Sequence, residues 1–151
     1  MKAASYIPKD CHAITPYLLV PDAAKFLEFV SQAFGGIVRE RFTRPDGTVQ
    51  HAQVCVADSL LMVGEPTLPW KPLPVMLYHY VPDCDATYQQ ALAAGAISIV
   101  EPADMFYGDR HACVKDMAGN DWWIATHLEE LTSEEIQKRA IAFHLEKAKK
   151  S

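Results

Sequence analysis

The sequence is short of most features that would assign a chemistry at once. No stretch approaches the roughly 20 consecutive apolar residues of a membrane-spanning helix, so no helical span is expected. The first residues, MKAASYIPKDCHAI, lack an apolar run, and no signal peptide is expected there. The four cysteines (Cys11, Cys55, Cys84, Cys113) are scattered, without CxxC or zinc-finger spacing. They read as free thiols of a cytoplasmic protein. No Ser–His–Asp or Cys–His arrangement is legible, and no glycine-rich phosphate loop is present. Basic charge is also scarce. A formal net charge of −5 argues against nucleic acid or an anionic membrane as partner. Lys147, Lys149 and Lys150 form only a short tail patch, read as a solvated helix end.

What is present suits one globular domain. Half of the 151 residues are apolar, and a chain of this length buries about 70% of its unfolded surface. Strand-like Ile14–Val20 is followed by Val20-Pro21-Asp22, where Asp22 is placed to cap a helix. Ala23, Phe26, Leu27, Val30 and Phe34 recur at helical spacing, and Gly35-Gly36 ends the run. Strands are expected at Ile37–Phe42, His51–Ala57 and Leu60–Gly64. The proline-rich segment 66–74 excludes helix or central strand and reads as a linker.

The pattern then starts again. Strand-like Val75–Val81 leads into Val81-Pro82-Asp83, which repeats the earlier triplet at an offset of 61 residues. A helix Cys84–Ala94, a strand Ile97–Val100, a loop Pro102–Gly108 and a hairpin Arg110–Lys115/Asp121–His127 complete the second unit. The offset slips by one residue at the helix-ending glycines, Gly35 and Gly95, while the final strands again coincide. The chain thus divides into module one (14–65), linker (66–74), module two (75–127) and a C-terminal helix (132–149). Thr132 with Glu135 forms a capping box for that helix, whose narrow apolar stripe, Ile136, Ala140, Phe143 and the one charged member Lys147, is expected to pack on the domain edge or on a partner subunit.

Two βαβββ units in tandem resemble the vicinal oxygen chelate superfamily, which includes glyoxalase I, bleomycin-resistance proteins and extradiol dioxygenases. The string Met105-Phe106-Tyr107-Gly108-Asp109-Arg110, then Val114-Lys115-Asp116, Gly119-Asn120 and Trp122–His127, is similar to its PhnB-like, glyoxalase-like branch. The resemblance implies an α+β fold, two modules forming a curved eight-stranded mixed sheet around a cavity, and a homodimer. It also implies metal-ligand positions on the first and last strands of each module. Those fall on Thr15, Met62, Met76 and Trp123, again 61 residues apart in pairs. A hydroxyl, two thioethers and an indole do not make a divalent metal site. Neither a metal nor a cofactor is therefore expected.

If those four residues face the cavity, strand alternation carries others with them. Tyr17, Tyr78, Tyr80, His51, Gln53 and Cys55 join the cavity face, while Leu18, Val20, Val54, Trp122 and Ile124 turn to the helices. The same offset puts Arg110, Ala112 and Val114 inside. Arg110 is then either an anchor for a ligand carboxylate or a partner of Asp109, Asp116 or Asp121. His79 falls on the helix face and reads as a satisfied core histidine. His111 either narrows the cavity mouth or lies at the surface.

The expected ligand-binding set is Thr15, Tyr17, His51, Gln53, Met62, Met76, Tyr78, Arg110 and Trp123, taking a small, mostly apolar or aromatic molecule. The bland alternative is that these side chains simply fill a closed core. His51 is the best catalytic candidate. Two further readings stay open: a metal enzyme with unorthodox ligands such as His51, His111 and Glu65, or a metal-free isomerase or lyase using His51 with Tyr17 or Tyr78.

Overall fold

Asp22 and Asp83, the two repeated aspartates, do cap helices: their carboxylates accept from Lys25 N and Ala86 N, three residues on. The computed structural model describes residues 1–151. It comprises β1 (Tyr17–Leu19), α1 (Ala23–Phe34), β2 (Ile37–Thr43), β3 (Val49–Val56), β4 (Ser59–Gly64), β5 (Met76–Tyr80), α2 (Cys84–Ala93), β6 (Ile97–Asp104), β7 (Asp109–Lys115), β8 (Asp121–His127) and α3 (Ser133–Lys150). The eight strands fall into two four-stranded mixed sheets, one per module, ordered β1-β4-β3-β2 and β5-β8-β7-β6. In each, the first and last strands of the module pair in parallel and the others antiparallel. The linker stays irregular and lies along β1, with Leu73 N donating to Leu19 O. No helix is long and apolar enough to cross a membrane.

The expected loop at Pro102–Gly108 needs correction, because β6 continues through Pro102 to Asp104. Pro102 is tolerated because β6 is an edge strand and its register shifts between Val100 and Ala103.

A second correction concerns the phase of β7. Tyr17 pairs with Met62 and Tyr78 with Trp123, so the outer strands keep the offset of 61. Ile37 pairs with Cys55 and Ile97 with Lys115, so the inner strands are 60 apart. The residue lost at the helix ends is regained in the hairpin. Four residues separate the paired Cys55 and Leu60, and five separate Lys115 and Asp121. Ala112 and Val114 therefore lie in the helix-side core, and the opposite face carries Asp109, His111 and Cys113.

The helix-facing sides of both sheets meet in one core. Phe26 and Phe34 of α1 pack on Trp122 of β8, ring centroids 6.5 and 4.5 Å apart, so module one reaches directly into module two. Trp122 is fully buried, and an aromatic side chain of that size contributes roughly 4–6 kcal/mol of transfer free energy. The faces turned away from the helices are open: Tyr17 is 46% and Tyr78 45% exposed.

Candidate functional site

On the open face of module one, parallel register sets Tyr17 beside Met62, and antiparallel register sets Met62 beside Gln53. His51 stands two residues along β3 on the same face. Tyr17 Oη and His51 Nδ1 lie 3.2 Å apart, and Phe42 stacks on the imidazole at 6.4 Å. Gly64 makes room for this pair, since a Cβ there would come within 2.9 Å of Tyr17 Oη and 2.8 Å of Gln50 O. Thr15 precedes β1 and is held in a turn, its hydroxyl donating to His12 O at 2.8 Å. With Met62 it lines a shallow cavity walled by Ile7, Cys11 and His12 of the N-terminal segment.

Module two builds a denser face. Tyr78 lies opposite Trp123 with rings nearly parallel, 9° apart in plane and 6.4 Å between centroids. Met76, one alternation earlier on β5, is exposed beside them. His111, 8% exposed, packs on Trp123 at 4.8 Å. Burial holds its imidazole below the usual range, against a smaller opposing pull from Asp109. The Tyr107 hydroxyl lies 2.6 Å from His111 Nδ1, within hydrogen-bond distance. Burial, then Tyr107, pushes the Tyr78 phenol far above its ordinary value, so it stays protonated.

A second network sits at the end of this face. Buried Asp109 accepts from Tyr80 Oη at 3.1 Å and from His127 Nδ1 at 2.7 Å. That carboxylate, and then Glu130, raises the His127 pKa. Cys84 and Cys113 are buried thiols, each pushed up to about 11 by burial, which keeps them protonated and unreactive at neutral pH.

Arg110 does not belong to this face. Its guanidinium bonds Asp85, in the first turn of α2, at 3.0–3.2 Å and Asp104 at 2.9 Å. The expected carboxylate anchor is thus an ion pair on the helix side, and with neither Asp109, Asp116 nor Asp121. The cause is the one-residue change of phase in β7. His79 lies on the helix side as expected, beside Phe34 at 5.3 Å, but its buried Nδ1 has no partner. It is not a satisfied histidine. Sequence reasoning missed that His111, not Ala112, repeats His51. The sequence does carry the signal: Gly35 and Gly95 are 60 apart, and that spacing holds up to the hairpin.

A sequence profile described as "Glyoxalase/Bleomycin resistance protein/Dioxygenase superfamily" matches residues 12–124. The chain belongs to that superfamily. An uncharacterized protein of Mycobacterium tuberculosis is 32% identical over 136 residues, covering 83% of this chain and 80% of its own length. Among solved structures, TioX from Micromonospora sp. ML1 superposes with a TM-score of 0.66 at 24% identity, over 78% of this chain and 99% of TioX. A PhnB protein from Bacillus cereus, described as a putative 3-demethylubiquinone-9 3-methyltransferase, superposes with a TM-score of 0.60 at 14% identity, over 76% and 99% of the two chains. At such identities the two structures speak for the fold alone.

The divalent metal of the vicinal oxygen chelate superfamily does not fit the residues present here. Thr15 is bound into its turn, Met62 and Met76 offer soft thioethers, and Trp123 offers no lone pair. Glu65, one member of the unorthodox ligand set, is engaged by backbone: its carboxylate accepts from Ala23 N at 3.2 Å and Val49 N at 2.5 Å. No three His, Cys, Asp or Glu side chains converge as a metal-holding group, so His51, His111 and Glu65 do not form one.

Proposed function

We propose that this protein binds a small, mostly apolar or aromatic molecule with polar handles on the sheet faces opposite its helices, without a divalent metal. One observation carries the reading: both modules repeat the same arrangement. A tyrosine of the first strand (Tyr17 or Tyr78) lies beside a soft or aromatic side chain of the last (Met62 or Trp123). A histidine stands on the third strand (His51 or His111) within the same aromatic group. Flat rings and a thioether supply contact area to an apolar ligand. Gln53, Tyr107 and the two imidazoles supply the few polar atoms that orient it. Because each face is open in one chain, a second copy completing the enclosure belongs to this reading.

Thermal unfolding with a panel of aromatic compounds in EDTA tests it. A ligand at 100 times its Kd stabilises by about 2.7 kcal/mol, and Trp123→Ala should abolish that gain. If no compound stabilises the protein, or stabilisation needs added metal, the reading fails. The 3.2 Å contact between Tyr17 and His51 also favours a metal-free proton-transfer role for that pair. Full turnover of a substrate by His51→Ala would exclude it.

A further inference from the structure

Two departures from the internal repeat converge on one cleft between the modules. A cavity of about 540 Å³ opens between the end of α1, the start of β2, the end of β5 and α2. Small-molecule sites occupy roughly 300–1,000 Å³ and favour the join of two structural units. Phe34, Ile37, Val81 and Pro82 give the cleft apolar walls, and Arg39 is its one permanently charged lining residue. The open-face groups stand apart from it: neither Tyr17, His51 and Met62 nor Tyr78, His111 and Trp123 line it.

Arg39 is placed by a β-bulge. Val38 pairs with Val54 and Glu40 with Gln53, so Arg39 is the extra residue of β2. Bulges re-aim a side chain and are common beside functional sites. Module two keeps the bulge, between Ser98 and Val100, but fills it with Ile99. Arg39 takes part in none of the ion pairs of the chain. Its guanidinium lies beside the Cys55 thiol, and the one carboxylate that acts on it, Asp10, does so most weakly of its neighbours.

His79 is the second departure, since the same place in module one holds the fully buried Leu18. Its Nδ1 is shut off from water and has no hydrogen-bond partner. Nε2 is the nitrogen not closed off, and it faces no protein partner either, so it is the atom that a ligand in the cleft can meet. An unpaired buried nitrogen costs stability, and leucine already solves the packing at this place in the repeat. Local rules broken in this way are expected at functional sites.

A cation without a carboxylate partner and an imidazole, set among apolar walls, match a ligand with an apolar body and one anionic head. A single planar guanidinium pairs best with a planar carboxylate, and a phosphate would find no second cation among the lining residues. We propose that the cleft between the modules binds a small carboxylic acid with an apolar body. Its carboxylate pairs with Arg39, its body lies against Phe34 and Val81, and His79 Nε2 supplies a second polar contact. Binding here and binding on the open faces are independent, and either can fail alone.

Octanoate titrated into the isotopically labelled full chain tests the proposal by NMR. Saturable amide shifts are expected at Phe34, Arg39, His79 and Thr87, with a melting temperature that rises with octanoate concentration. Arg39→Gln should weaken octanoate about 10- to 100-fold, and 1-octanol, which has the same chain without the charge, should bind wild type more weakly by about the same factor. His79→Leu should weaken octanoate about tenfold while making the unliganded protein more stable. A role in packing alone would move the stability and leave the affinity unchanged. Octanoate that does not saturate, binds Arg39→Gln or His79→Leu as tightly as wild type, or shifts Tyr78 and Trp123 in place of the cleft overturns the proposal. So does 1-octanol binding as tightly as octanoate.

Discussion

Module one turns from β3 to β4 through Ala57, a non-glycine residue at φ 52, in the left-handed region. Module two takes one residue more and holds its turn from within. Buried Asp116 accepts from Ala118 N, Asn120 N, Asn120 Nδ2 and Trp122 Nε1 at 2.8–3.2 Å. One turn is closed by backbone strain, the other by a carboxylate with its acceptor capacity filled. Trp122 stands where module one has Leu61, and its Nε1 donates to Asp116 at 2.9 Å. That wedge reaches Phe26 and Phe34 and joins the two halves. A similar contrast holds one strand over, where the well-packed Leu18 of module one is replaced by His79 with an orphaned nitrogen. The repeat preserves topology, while single positions decide which module carries strain and which carries polar groups.

The contrast can be broken in graded steps. Trp122→Ala should cost about 3–5 kcal/mol in denaturant-induced unfolding, because it empties the core the modules share. The conservative Trp122→Phe should cost less. Next, Asp116→Ala strands several buried N–H donors and should cost about 3 kcal/mol. Equal stability of this variant and wild type would show that the second turn is not held by its carboxylate.

His79→Leu, which restores the module-one residue, should raise stability by about 1–2 kcal/mol at pH 7. It should also remove an acid sensitivity. Burial holds the His79 pKa below its usual value, against a smaller opposing pull from Asp58. Below about pH 6.5 the unfolded chain takes up a proton that the folded chain resists. Stability is therefore full above that pH and falls as the pH drops through it, and the leucine variant should lose this component. The smallest effect belongs to Ala57→Gly, which relieves the left-handed backbone and should gain about 0.5–1 kcal/mol.

The local signals are legible in the amino-acid sequence itself. Asp22 and Asp83 cap their helices, Thr132 and Glu135 form their capping box, and β8 spans Asp121–His127 as expected. Each depends on residues within a few positions of one another. The alternation of β1, β3, β5 and β8 also places Tyr17, His51, Tyr78 and Trp123 on the face away from the helices, because burial of Leu18, Val54 and Trp122 fixes the phase. The phase of β7 is not legible from the offset of the outer strands. It depends on a residue gained in a turn, which Asp116 stabilises through Trp122, six residues away. Arg110 and His111 exchange faces for that reason alone. The missing partner of His79 is equally hidden, since parity gives a face but not a neighbour.

The most direct test of small-molecule binding is residue-resolved NMR of the chelator-treated protein titrated with an aromatic compound that raises its melting temperature. Binding on the open sheet faces predicts saturable shifts at Tyr17, His51 and Met62, at Tyr78, His111 and Trp123, or at both groups, unchanged by added zinc. Shifts confined to the helix side around Arg110 and His79, or seen only after zinc is supplied, would contradict it.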